Sequence, residues 1–159
     1  MPSIATIGVY GFDRDSFLAA LTTAGVDLLL DVRQRRGVRG SEYAWANAQR
    51  LQAALSEASI GYSHLKELAP TTEMRQVQYR EDDRIGEGKR SRTHLAPEYT
   101  SLYTEQILDQ VDLAPIVNWI GDGSAALLCV ERDPEACHRS LIAARLEREW
   151  GFDVTHLRP

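Results

Sequence analysis

The sequence predicts an α/β fold, a Rossmann-like three-layer sandwich on a mainly parallel sheet of about five strands. Three observations carry this expectation. Short apolar runs alternate with amphipathic stretches along the chain, a pattern that sets strands in one layer and helices on both sides of it. Two runs, VDLLLDV at 26–32 and AALLCV at 125–130, are apolar at almost every position, as strands buried on both faces are. A chain of 159 residues, 43% of them hydrophobic, suits one domain with a substantial core. The expected organisation is a single domain over 1–159 with a long polar loop at 70–95.

The elements follow in order. Ile4–Gly8 reads as the first strand. Asp13 or Asp15 caps a helix whose apolar positions are Phe17, Leu18, Leu21 and Ala24, and Gly25 stops it. Val26–Val32 is the second strand. Ser41–Ser59 reads as one helix, with Leu51, Leu55 and Ala58 along one side, and Ile60–Leu65 as a third, weaker strand. The polar stretch Pro70–His94 is partly helical or mobile. Glu98–Val111 is helical, and a short helix from Asp112 turns Ile116, Val117, Trp119 and Ile120 inward. Gly121–Gly123 turns the chain into Ala125–Val130. Arg139–Trp150 is amphipathic, with Ile142, Leu146 and Trp150 at four-residue spacing, and Gly151 ends it before a last strand at Phe152–Leu157.

Composition narrows the function. No apolar run approaches the ~20 residues of a membrane span. The first residues, MPSIATIGVYGF, lack the basic head and long apolar stretch of a signal peptide, so no membrane partner and a cytoplasmic location are expected. Two cysteines do not make a disulfide scaffold. A net charge of −5 disfavours a globally basic nucleic-acid binder while leaving local basic patches open. No GxGxxG follows the first strand, so no NAD or FAD is predicted, and the cofactor is otherwise unknown.

In open parallel sheets ligands bind beyond the carboxyl ends of the strands. The loops there hold Gly8–Phe12, Asp31–Arg39, His64–Glu67 and Cys129–Arg139. The sharpest of them is CVERDPEACHRS, Cys129–Ser140. If a helix starts just after Cys137, its dipole and the neighbouring cations stabilise a thiolate. His138 then serves as acid or base, Arg139 as an anion clamp and Ser140 as a donor to sulfur. Asp133–Pro134 is an equally good helix start, and in that register Cys137 lies a turn inside the helix and loses most of the activation. Cys129 reads as a small core residue. Cys129, Cys137, His138 and His64 are zinc-type donors, but no pair has the tight CxxC or HxxxH spacing, and no metal site is predicted.

Asp31 and Arg33, two apart on a strand, point the same way. Asp31 either handles protons or forms a structural salt bridge with Arg33. QRRGVRG at 34–40 adds Arg35, Arg36 and Arg39 with no acid among them, a loop that seeks phosphate. A second cluster, Arg84, Lys89, Arg90 and Arg92, is diluted by Glu81, Asp82, Asp83 and Glu87 and reads as solvated. Tyr43 and Trp45 read as packing residues. His64 and Glu67 could line the same cleft as Gly8 and Arg36.

TIG at 6–8, LLLDVR at 28–33, GYSHLKEL at 61–68, LLCVERDPEACHRSLIA at 127–143 and VTHL at 154–157 resemble the domain-of-unknown-function family number 488. The resemblance spans nearly the whole chain. It implies an α/β fold and a cleft around Asp31, Arg33, Cys129, Glu131, Cys137, His138 and Arg139, and it supplies no activity. Gly37 stands where many relatives have a proline. More distantly, the cysteine loop and the DVR strand are similar to rhodanese and cysteine-phosphatase domains. The phosphatase spacing is not met, because the residue six after Cys137 is Ala143.

The expected function is an enzyme that binds an anionic, phosphate- or nucleotide-bearing ligand. Its residues are Cys137, His138 and Asp31 for chemistry, with Arg33, Arg139, Ser140, Glu131, Arg36, His64, Glu67 and Gly8 around the ligand. Two alternatives stay open: a non-catalytic nucleotide or nucleic-acid module, and a domain regulated by a Cys129/Cys137 redox pair. The sequence leaves the oligomeric state unknown.

Overall fold

The computed structural model describes residues 2–88 and 90–159. Lys89, part of the second basic cluster, lies outside the described residues. The chain runs β1 (Ser3–Ile7), α1 (Arg14–Thr23), β2 (Leu28–Asp31), α2 (Ala48–Glu57), β3 (Gly61–His64), α3 (Thr72–Ile85), α4 (Pro97–Tyr103), α5 (Ala114–Ile120), β4 (Ser124–Leu128), α6 (Arg139–Trp150) and β5 (Asp153–His156). Five strands form one sheet in the order β3-β2-β4-β1-β5, and every pairing is parallel. The fold is the expected α/β sandwich. Among the described residues no helix is long and apolar enough to cross a membrane.

Alternation along the strands splits the interior in two. Ala125, Leu127 and Cys129 join the core under α3–α6, together with Leu30, Met74, Tyr103, Ile116 and Ile142. Ala126, Leu128 and Val130 join the core under α1 and α2, with Phe17, Leu21, Leu51 and Leu55. A period of two thus sends Cys129 and, two residues on, Glu131 toward the same side of the sheet.

Local chemistry sets the helix ends. Asp13 caps α1, its carboxylate accepting from Ser16 N at 2.8 Å while Ser16 Oγ accepts from Asp13 N at 3.0 Å, a reciprocal capping box. Gly151 ends α6 in the left-handed region, φ 69°, which costs glycine little.

The structure differs from the expected elements at four places. The single helix expected over Ser41–Ser59 is a 3-10 helix, Ser41–Ala46, and then α2. They are separated at Asn47, which is extended and whose Oδ1 accepts from Val38 N at 2.7 Å. The stretch expected as a long polar loop carries α3 over Thr72–Ile85, capped by Thr71; Met74 and Val77 bury against the core, giving that helix its anchoring stripe. Trp119 is 53% exposed, because the inner stripe of α5 runs through Leu113, Ile116 and Ile120 and residue 119 falls off it at helical spacing. Both helix starts weighed near Cys137 are present in part: Asp133–Pro134 opens a 3-10 turn over Pro134–Ala136, and α6 begins at Arg139.

Candidate functional site

The chain leaves β2 toward α2 on one face of the sheet and leaves β4 toward α6 on the other. The carboxyl ends of β2 and β4, which are neighbours, therefore open a crevice of the kind that holds ligands in such sheets. A cavity of about 770 Å³ fills it. Arg33, Gln34, Arg35, Val38 and Arg39 from the loop after β2 form one wall, and Arg75, Gln78, Tyr79, Asp82 and Asp83 of α3 form another. Glu87, Gly88, Arg90 and Ser91 close over it, and Cys129, Glu131 and His138 make its floor.

His138 organises the floor. Its Nε2 lies 2.8 Å from Val32 O, a carbonyl that can only accept, so Nε2 carries a proton. Nδ1 is left facing sulfur on two sides, 3.7 Å from Cys129 Sγ and 3.7 Å from Cys137 Sγ. The three donor atoms lie within 4.8 Å of one another. Cys129 Sγ also lies 3.3 Å from Glu131 Oε2. Tyr103 packs its ring 5.3 Å from the imidazole, while its hydroxyl donates to Leu68 O at 2.6 Å.

The two thiols are driven apart electrostatically. Burial by itself raises Cys137, but the hydrogen bond from Cys129 and the charges of His138 and Arg139 outweigh it and hold the group well below the usual thiol range. Cys129 goes the other way: burial, its hydrogen bond to Cys137 and that neighbour's charge push it well up. Burial pulls His138 down, yet the Cys137 charge, the bond to Cys137 and the Val32 carbonyl leave it raised. The shifts thus run in opposite directions at the two sulfurs, with His138 raised beside the lowered Cys137.

Arg92 locks the far side of the floor. Its Nε donates to Asp82 Oδ2 at 3.0 Å, and its NH1 donates to Glu131 Oε1 and to Ala136 O, both at 3.2 Å. Gln78 donates to Asp82 Oδ1 at 2.9 Å and accepts from Ala96 N at 2.8 Å. α3 is thereby tied to the loop that follows it and to the end of β4. Burial works against the Arg92 charge, but Glu131 and Asp82 more than restore it.

A model of the family described as domain of unknown function DUF488 matches residues 13–146. The chain belongs to the DUF488 family. It has no significant match among the curated proteins or the solved structures.

Several residues that the sequence of this DUF488 protein marks for ligand contact are held elsewhere. The Asp31 carboxylate accepts from Arg33 N, Nε and NH2 at 3.1, 2.9 and 2.8 Å and from Tyr62 OH at 2.6 Å, so its lone pairs are occupied, and it does not line the cavity. Arg33 lines the cavity, yet its guanidinium is spent on Asp31 and on Ala46 O at 2.9 Å. Arg139 is fully buried; its NH1 and NH2 donate to Glu131 O at 2.6 Å and Arg132 O at 3.1 Å, bracing the loop after β4 instead of clamping a ligand. Ser140 donates to Cys137 O at 2.9 Å instead of to sulfur. Arg36 reaches Tyr62 OH at 3.4 Å, His64 Nε2 donates to Arg33 O at 2.9 Å, and Glu67 is exposed. At Gly8 an added Cβ would come within 1.9 Å of Glu131 O, so its role is close backbone approach.

Cys137 does not line the cavity, whereas Cys129, which reads from the sequence as core, does. It is in fact both, since it also belongs to the apolar cluster under α3–α6. The residues that sequence reasoning passed over are Gln78, Asp82 and Arg92. Their signal was present, four residues apart on α3 for the first two, but it was hidden in a stretch whose charge looked like solvent exposure. Tyr43 packs on Tyr10 at 5.2 Å and Trp45 on Phe17 at 4.9 Å, as packing residues do. Arg90 lies over the Tyr10 and Tyr43 rings at 5.1 and 5.2 Å.

Proposed function

We propose that this DUF488 protein is an enzyme that takes a phosphate- or nucleotide-bearing anion into the cavity and acts on it at the sulfur–imidazole centre below. One observation carries the reading: the side chains of Arg35 and Arg39 make no hydrogen bond or ion pair among the described residues, and both border a cavity whose floor is Cys129, Glu131 and His138. Two unspent guanidiniums at the rim supply the planar, always-charged donors that phosphate oxygens accept from. Arg75, bonded to Gln34 and Tyr79, and Arg90 add positive field from opposite walls. Sulfur or phosphoryl transfer is the reaction class that such a floor serves.

A nucleic-acid module needs basic groups on a shared outer face. Arg84 is paired with Glu81 and Arg36 points to Tyr62, which favours the cavity instead. Calorimetric titration with inorganic phosphate and with nucleoside monophosphates tests the proposal. Arg35→Ala and Arg39→Ala should each weaken binding about tenfold, the loss of one charge-assisted hydrogen bond. Cys129→Ser should leave binding in place and abolish turnover. Absence of phosphate binding, or binding indifferent to both arginines, rejects it. A steep salt dependence with single-stranded nucleic acid as the preferred ligand turns the reading to the module.

A further inference from the structure

We infer that Cys129 Sγ, Cys137 Sγ and His138 Nδ1 form a binding site for one soft divalent cation, zinc above all, with its fourth position open to the cavity. The inference deepens the function proposed above and rests on that reading for what the fourth position meets; the site itself rests on geometry.

The spacing of the donors is that of a metal polyhedron. Zinc lies about 2.3 Å from a thiolate and about 2.0–2.1 Å from an imidazole nitrogen, so a tetrahedral angle sets sulfur and nitrogen about 3.6 Å apart. Both sulfurs stand 3.7 Å from Nδ1, and all three atoms lie within 4.8 Å of one another. Ordinary apolar packing has no reason to turn one imidazole nitrogen toward two thiols at once.

The imidazole is also oriented as a ligand. Nε2 is fixed on Val32 O at 2.8 Å, which leaves the Nδ1 lone pair for the cation, the arrangement that metal-bound histidines share. Glu131 Oε2 sits 3.3 Å from Cys129 Sγ while Oε1 meets Arg92. A carboxylate so placed would accept a proton from a water in the open position.

Three protein ligands with an open position on a cavity distinguish a catalytic zinc site from a closed structural one. Cys129, Glu131 and His138 all line the cavity. Loading changes no oxidation state. Each cysteine enters as thiolate, any thiol or imidazolium proton leaves to solvent, and two thiolates balance the dication. The tight CxxC spacing is absent because the site is assembled from the end of β4 and the approach to α6, which only the fold brings together.

The test uses the full chain kept reduced with a phosphine. Zinc content by elemental analysis should reach one per chain, and cobalt should substitute with a thiolate-to-metal charge-transfer band. Cys137→Ser and Cys129→Ser should each cut that band to about half and weaken zinc at least tenfold against a chromophoric chelator, consistent with the loss of one ligand. Arg35→Ala should change neither. Zinc should also raise the wild-type melting temperature, a readout that needs no variant to fold. A protein with both thiols reduced that takes up neither metal in stoichiometric amount overturns the site. Phosphate binding without metal uptake leaves the proposed function standing and removes this inference; metal uptake without phosphate binding does the reverse.

Discussion

Arg92 and Glu131 are joined at 3.2 Å beneath the cavity, with Asp82 on the other side of the same guanidinium. One cation thus pairs with two buried carboxylates that come from α3 and from the end of β4. Removing it takes away the cation both share. Arg92→Ala should cost about 3–5 kcal/mol, the range for breaking a buried ion pair from one side, read by urea denaturation. A loss under about 1 kcal/mol would mean that water reaches these groups and that the pairing is not structural.

Asp31 and Arg33 allow a second, comparative measurement. Their pair is bidentate and buried, whereas the Arg84–Glu81 pair is largely exposed. Asp31→Ala should cost about 3–5 kcal/mol, and Glu81→Ala far less. Equal effects would show that Arg33 finds other partners once its carboxylate is gone.

Gly8 is the point where the chain after β1 crosses the backbone of Glu131. Since an added Cβ would meet backbone oxygen there, Gly8→Ala must push Glu131 away from Cys129. A destabilisation of about 1–3 kcal/mol is expected, together with weakened metal uptake. An unchanged melting temperature would contradict the crossing.

His156, whose Nδ1 meets Thr6 Oγ1 at 2.7 Å, sets a pH dependence. Burial first, then the positive charges of Arg139 and Arg158, hold it below its ordinary value, against a smaller opposite pull from Glu135 and Glu147. At neutral pH it is uncharged in both folded and unfolded chains. On acidification the unfolded chain takes its proton first, near its ordinary value of about 6.5, so stability falls from there down through the lower folded value. His156→Gln should flatten that part of the curve in melts run from pH 7.5 to 5, buffers set on either side of about 6.5. A variant whose acid loss matches wild type assigns the effect to another group.

Arg35 and Arg39 separate binding from stability. Both are exposed, so alanine at either should change stability by no more than about 0.5 kcal/mol while weakening phosphate. A drop in melting temperature on the same scale as Arg92→Ala would make them structural.

The α/β class and the parallel sheet were legible in the sequence because they follow from periodicity: VDLLLDV and AALLCV are largely apolar, and a sheet of such strands must be covered on both sides. The loops that border the cavity lie at strand ends and were legible for the same reason. The partner of each polar side chain was not. Arg33 and Arg139 look like anion clamps in one dimension. Folding presents each with carboxylate or carbonyl oxygens, which take the Arg33 guanidinium and both terminal nitrogens of Arg139. The opposite happened in the polar stretch after Pro70, where Asp82 and Arg92 look solvated until α3 packs on the sheet and buries them as an ion pair, with Gln78 and Glu131 as further partners. Cys129, Cys137 and His138 carry no ligand spacing along the chain. They meet because a strand end and a helix start, set by hydrophobic burial, deliver them to one point, and no local pattern encodes that convergence.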